Sequence, residues 1–248
     1  MHEITSREQG LSCGIRSLEG HLARARRIVG FSVKFKHASL RCRTGCPDCT
    51  DLAPQTCDWD STPHGSVREE APTGAPDPLG LPVITTAWVD ANLHHDFLTG
   101  RAVTGVAHAV NQTVLDFHSK KQNAVETSTY GSEFVAARTA TDQIIDLRLL
   151  TLRYLGVPVC RSVMFGDNES VVTSGSIPHS QLNKRWTALS YHRVREAIAA
   201  QVVDFWHIPG AENPADMLSK HWACNKVSHV LRPILFWRGD TKDCVPLC

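Results

Sequence analysis

Charge imbalance is almost missing from this 248-residue sequence: 26 Lys and Arg stand against 25 Asp and Glu, for a net charge of +1. The balance holds along the chain, with ten basic and ten acidic residues in 1–80 and sixteen and fifteen in 81–248. Any nucleic-acid contact must therefore come from a local patch, since there is no global field to supply it. No segment approaches about eighteen consecutive apolar residues, so there is no candidate membrane span. The N-terminal MHEITSREQG also has no apolar stretch of signal-peptide type. The expectation is a protein that does not engage a membrane and works inside the cell, in a cytoplasmic particle or the nucleus. What is present, 42% hydrophobic and 21% charged residues, suits a globular chain of one or two domains.

Nine cysteines form an odd set, which without a secretion signal reads as reduced thiols before it reads as a disulfide framework. The tightest cluster is CRTGCPDC, in which Cys42, Cys46 and Cys49 are spaced Cys-x3-Cys-x2-Cys and Cys57 follows. Four thiols can hold zinc tetrahedrally. The second clean Cys-x2-Cys pair of such sites is missing, however, and little regular structure surrounds the cluster to brace it. Zinc at Cys42, Cys46, Cys49 and Cys57 is therefore the weaker reading.

Three regions emerge along the chain. Residues 1–80 read as a poorly ordered or degraded leader with a Cys-rich segment. It holds one short amphipathic helix around SLEGHLARARRIVGF, a strand-like FSVKFKH, and an aperiodic, Pro- and Gly-containing stretch over 41–80 that should pack poorly. Residues 81–230 form the domain, and 231–248 a short C-terminal tail. Within the domain, LPVITTAWVDA predicts a strand ending at Asp90, and RAVTGVAHAVN and QTVLDFHSKKQ predict two more joined by hairpins. A long helix over 126–155 follows and stops at Gly156 and Pro158. RSVMFGD then returns as a strand parallel to an earlier one. A short helix from Asn168, a helix over 187–200, the strand QVVDFWHI and a helix after NPAD complete an α/β pattern: a mixed sheet flanked by helices.

Four carboxylates fall where such a sheet gathers them. Asp90 and Asp167 end two strands that the crossover sets parallel, so both emerge at one sheet edge, where α/β proteins place their sites. Stepping by four and three from Glu133 reaches Ala137, Ala140, Ile144 and Leu147, the stripe that a sheet-packed helix buries. Asp216 begins the last helix, after Pro214. Each has a plain structural reading: a turn aspartate for Asp90, a dipole-favoured charge for Glu133, a helix-start residue for Asp216 and an N-cap for Asp167. Together they are harder to explain that way, because clustered carboxylates repel unless cations neutralise them, and hard oxygen ligands suit magnesium or manganese.

The stretches WVDANLHHDFLTGRAVTG, FHSKKQNAVETSTYGSEFVAA, FGDNESVV, LSYHRVREAI and WHIPGAENPADMLSKHW appear in this order from about Ala87 to Lys220. In this they resemble the ribonuclease H domain of Ty1/copia-type retrotransposon Pol polyproteins. The resemblance implies a ribonuclease H-like mixed five-stranded sheet and two-metal cleavage of the RNA strand of RNA–DNA hybrids during reverse transcription. It implies Asp90, Glu133, Asp167 and Asp216 as catalytic and metal-binding residues, with two Mg2+ or Mn2+ ions as cofactors. Its partners would be an RNA–DNA hybrid and a reverse transcriptase domain absent from this chain.

Lys120 and Lys121 in SKKQ, Asn168, Arg185, and His192, Arg193 and Arg195 in SYHRVRE are candidates for nucleic-acid contact. Each also has an ordinary reading as a solvated, capping or packed side chain. The mobile histidine that many cellular ribonucleases H carry before the last aspartate has no counterpart in PGAEN. His207, inside the apolar VVDFWHI, reads as structural. Neither a Tyr-x-Asp-Asp type motif nor a protease or integrase signature occurs, so the chain looks like the tail of a polyprotein. The competing reading is a catalytically inactive nucleic-acid-binding or structural remnant of the same fold.

Overall fold

The computed structural model describes residues 42–52, 55–96, 98–182 and 185–222, with scattered positions of 22–41 and 227–237. The chain divides into two compact units, Met1–Arg41 with Leu235–Leu247, and Cys42–Ile234 with Cys248. In the first, β1 (Ala38–Leu40) pairs antiparallel with β7 (Leu235–Trp237). The helix expected around residues 17–31 lies largely outside the described residues; those described, such as Leu22, Arg26 and Val29, are helical and exposed. The strand expected over FSVKFKH is corrected: Val33 is helical, Lys36 is in a turn, and the strand begins at Ala38. Most of the expected tail lies outside the described residues. No helix among the described residues is long and apolar enough to cross a membrane.

The second unit is built on a mixed five-stranded sheet in the order β4-β3-β2-β5-β6, flanked by helices: the ribonuclease H-like fold. Strands β2 (Thr85–Asp96), β3 (Arg101–Val110) and β4 (Thr113–Lys121) form an antiparallel meander. Asn111, at φ 52, opens the β3–β4 turn in the left-handed conformation that asparagine tolerates, and its side-chain oxygen accepts the Ile84 N–H. The chain then forms α1 (Thr129–Asp146) and returns as β5 (Ser162–Gly166), parallel to β2. Next come α2 (Glu169–Ser176), α3 (Ala188–Ala199), β6 (Val203–His207), parallel to β5, and the one-turn α4 (Asp216–Ser219).

The core lies between the sheet and α1. Ala87, Val89 and Ala91 alternate inward from β2 and Met164 and Phe205 from β5 and β6, against Phe134, Ala137, Ala140 and Ile144 of α1. The helical stripe expected from Glu133 is thus the buried one, as far as Ile144. Beyond Asp146 the backbone widens into a π-helical turn, Leu147–Leu152. There the buried Arg148 donates to both oxygens of Glu69, at 2.8 and 2.6 Å, and to Ser162 Oγ and the Cys160 carbonyl.

Two expectations need correction. Asp90 does not end its strand, because β2 continues to Asp96 through its pairing with β3. What stops beside Asp90 is the parallel ladder to β5, whose last pair is Val89 with Gly166. Asp90 is therefore placed at the mouth of the β2–β5 crevice while its backbone is still held in the sheet. The second concerns residues 42–80: those described have almost no regular secondary structure and are mostly exposed, as expected, but they are tied to the sheet domain at a few points. Trp59 is only 7% exposed and belongs to the core cluster, and the Arg195 guanidinium lies over its ring at 4.8 Å. Gln55 pairs through its side chain with both main-chain groups of Phe205 on the edge strand β6. Glu69 grips Arg148, and Arg43 exchanges two hydrogen bonds with Thr113. The segment is a strap held at isolated points, and the compact unit starts near Cys42, well before Leu81.

Candidate metal centre

Three carboxylates meet in the crevice. One ligand oxygen from each of Asp90, Glu133 and Asp167 lies within 4.8 Å of the others. Asp90 is 1% exposed and Glu133 8%, whereas Asp167 is partly open to solvent. Among the described residues this is the one group of three or more His, Cys, Asp or Glu side chains arranged to hold an ion. No cysteine of the described Cys42, Cys46, Cys49 and Cys57 joins such a group; they are free thiols, all but Cys49 exposed.

Local structure explains how each carboxylate is aimed. The helix after β5 is capped by Asn168, whose side chain accepts the Val171 N–H at 3.3 Å, so Asp167 is not the cap. The capping duty falls one residue later, and the Asp167 carboxylate points to the crevice. Gly210 passes within contact of it: a Cβ there would stand 3.0 Å from Asp167 Oδ2. Glu133 sits in the first turns of α1, which Ser128 caps, and its carboxylate faces the Ala91 N–H next to Asp90, which favours its charged form.

The charges strain against their surroundings. Burial, then the Asp90 and Asp167 charges, push the Glu133 carboxyl well above its ordinary range. Burial also raises Asp90, aided by Asp167 and Asp216, while the Ser219 hydroxyl and Lys220 pull it back. A cluster that resists full ionisation without counter-charge, and that is lined with hard oxygens, fits a divalent cation such as magnesium or manganese.

Asp216 is near but stands apart from the triad. It is 8% exposed, and its two oxygens accept hydrogen bonds from the Lys220 ammonium and the Trp222 indole N–H. Lys220 also reaches Asp90 Oδ1 at 3.2 Å, and Ser219 donates to Asp90 Oδ2. Burial works against the Lys220 charge, but the bonds and charges of Asp216 and Asp90 outweigh it and raise its pKa. The loop before α4 is fixed by Asn213, fully buried, which donates to the Val89 carbonyl and accepts the Ala215 N–H. Gly105 of β3 lets α4 lie on the sheet, since a Cβ there would meet the Ala215 carbonyl at 2.6 Å and the Ser219 nitrogen at 2.9 Å. Sequence reasoning passed over Lys220, Ser219, Asn213 and Gly105. Only Lys220 left a signal, four residues after Asp216 on the same helical face.

The candidate nucleic-acid residues separate into three groups. Lys120, Arg185 and His192 are exposed. Lys121 is held by Asp96 at 2.5 Å and Arg193 by Asp142 and Glu196, while Asn168 is occupied as the cap. Arg195 is corrected to an interior role. It is 3% exposed, donates to the carbonyls of Ser174, Ile177 and Pro178, and stacks on Trp59 and Tyr191. It shares the buried face of α3 with Tyr191, Val194 and Ile198, a periodicity its charge conceals. His192 packs beside Tyr191 and His64. His207, at the exposed end of β6, lies 3.1 Å from the Asp167 carbonyl through Nε2.

The strand order is that of a ribonuclease H-like fold, and its acidic crevice is a candidate metal centre. The chain is similar to the retrovirus-related Pol polyprotein from transposon TNT 1-94 of Nicotiana tabacum, 27% identical over 147 residues. That match covers 59% of this chain and 11% of the polyprotein, so this chain corresponds to a small part of it. Among solved structures it resembles the N-terminal RNase H domain of Rv2228c from Mycobacterium tuberculosis, at 14% identity, TM-score 0.41, covering 60% of this chain and 96% of that one. It also resembles RNase H1 from Halobacterium salinarum, at 17% identity, TM-score 0.40, covering 55% and 94%. No protein-family model matches the chain.

Proposed function

We propose that this chain is a divalent-metal-dependent endonuclease that cleaves the RNA strand of RNA–DNA hybrids, as the ribonuclease H domain of a Ty1/copia-type retrotransposon Pol polyprotein. The observation that carries the reading is the convergence of Asp90, Glu133 and Asp167 within 4.8 Å at the mouth of the β2–β5 crevice. Asp90, Glu133 and Asp167 would hold the metal, with Asp216 the fourth carboxylate of the site. Bound there, divalent cations would supply activation of water and stabilisation of the leaving oxygen at a phosphodiester. The protein's own part is to orient. The β2 ladder fixes Asp90, the Ser128-capped helix α1 carries Glu133 inward, and the Asn168 cap leaves Asp167 directed at the crevice. Lys120, Arg185 and His192 are the exposed groups offered to substrate phosphates, and Lys121, Arg193 and Asn168 act at one remove by shaping that surface. The reverse transcriptase domain that would work beside it is the proposed partner.

The test is incubation of the purified chain with a labelled RNA–DNA hybrid in magnesium or manganese. The expected result is RNA-strand cleavage that EDTA abolishes. Binding of the hybrid with no cleavage in either metal would favour the inactive remnant instead.

A further inference from the structure

Lys220 is placed unlike a surface lysine. Its ammonium bridges two carboxylates from separate elements, Asp90 of β2 and Asp216 of α4, which lie 126 positions apart in the chain and are both buried. An ordinary helical pair at i,i+4 joins two solvated side chains and could be lost without consequence. Here one partner is 1% exposed, and every oxygen of the two carboxylates accepts a hydrogen bond from the chain's own Lys220, Ser219 or Trp222. The result is a divided site: Asp90, Glu133 and Asp167 face one another across the crevice, while Asp216 is engaged by donors and stands outside that group. The Lys220 side chain itself is 37% exposed, so it can leave toward solvent without disturbing the core.

We propose that Lys220 is a resident counter-ion that occupies the Asp90–Asp216 half of the metal centre. One divalent cation loads on Asp90, Glu133 and Asp167 with Lys220 in place. A second loads only by displacing the ammonium, which makes the two-ion state conditional. Lys220 is thus a positioning residue for Asp216. This inference rests on the metal-dependent reading above but concerns how the ions load, which cleavage alone does not report.

The experiment counts Mn2+ bound to the full chain by electron paramagnetic resonance of the free ion, with a metal-free thermal melt beside it. Wild type should bind one ion, with a second at least about tenfold weaker, roughly the effect of one competing charge at this range. Lys220→Met should tighten the second ion by about tenfold or more and lower the metal-free melting temperature, since Asp90 and Asp216 lose their counter-charge. Lys220→Met combined with Asp216→Asn should restore the melt and weaken the second ion again. Asp216→Asn alone should keep the first ion within about threefold of wild type. A second ion no tighter in Lys220→Met, or loss of the first ion in Asp216→Asn, overturns the inference. Should Lys220→Met fail to fold, Lys220→Gln, which keeps a hydrogen-bond donor but removes the charge, carries the same expectation and the same overturning result. Absence of any bound Mn2+ in all the proteins overturns the metal-centre reading itself, and the inference with it.

Discussion

Trp59→Ala should destabilise the domain by about 3 kcal/mol. Truncating a fully packed Trp costs about 3–5 kcal/mol, and loss of a partly desolvated cation–π contact adds about 0.5–1. Trp59 packs at the margin of the core, stacked on Arg195 at 4.8 Å and edge-on to His64 at 6.3 Å, which places it at the low end of that range. The strap is not released outright, because Gln55 still pairs with Phe205 and Glu69 with Arg148. For a domain of this size 1 kcal/mol moves the midpoint by about 2–4 °C, so a melt followed by circular dichroism should fall by about 6–12 °C. Limited proteolysis is the second readout: residues 55–70 should resist cleavage in wild type and be cut early in the variant. A fall of less than about 2 °C with unchanged proteolysis would mean that the strap merely lies on the domain, and the packing account of residues 42–80 would be wrong.

Gly105→Ala should lower stability by about 1–3 kcal/mol, because its Cβ would run into backbone atoms of α4 that have no free torsion to yield; a melt within 1 °C of wild type would contradict this. Arg195→Met should cost about 3 kcal/mol by leaving three carbonyls short of a donor, with hybrid affinity of the folded protein unchanged, whereas Arg185→Ala should weaken hybrid binding and leave the melt alone; the reverse pattern would return Arg195 to the substrate surface. The buried imidazole of His108, bonded to Gln143, has its pKa lowered by burial, and His64 is shifted the same way by burial and then by His192. The unfolded chain then binds more protons as pH falls through about 6.5, so stability should decline from pH 7.5 toward pH 5. His108→Gln should flatten that slope, and an unchanged slope would exclude His108 as its source.

The strands and the long helix were legible because each buries one face at its own period: alternation in TTAWVDA and a 3.6-residue stripe from Glu133 to Ile144. The triad was legible for a related reason: Asp90 and Glu133 sit on regular elements whose orientation follows from that period, and Asp167 directly follows the last residue of β5. Asp167 also shows where local chemistry misleads, since an Asp before a helix reads as a cap until the neighbouring Asn168 takes the role. The strap was not legible, because Gln55, Trp59 and Glu69 act singly and isolated anchors leave no periodicity. Arg195 and Lys220 were misread or passed over because a charge on a helix is ordinarily solvated. Their partners, the carbonyls that end α2 and a carboxylate of β2, are distant in sequence and come together only through the fold.

The most direct measurement of the metal-centre account is RNA-strand cleavage of a labelled hybrid by Asp167→Asn, followed beside a thermal melt with and without magnesium. Because Asn168 carries the cap, the substitution leaves helix initiation untouched and removes only one negative charge from the crevice. The account predicts cleavage reduced by at least about a hundredfold, at least the loss seen when groups that merely support a metal ligand are removed. It also predicts a smaller magnesium-induced rise in melting temperature, and a metal-free melt equal to or above wild type as repulsion with Asp90 and Glu133 is relieved. Cleavage at the wild-type rate in saturating magnesium would contradict it.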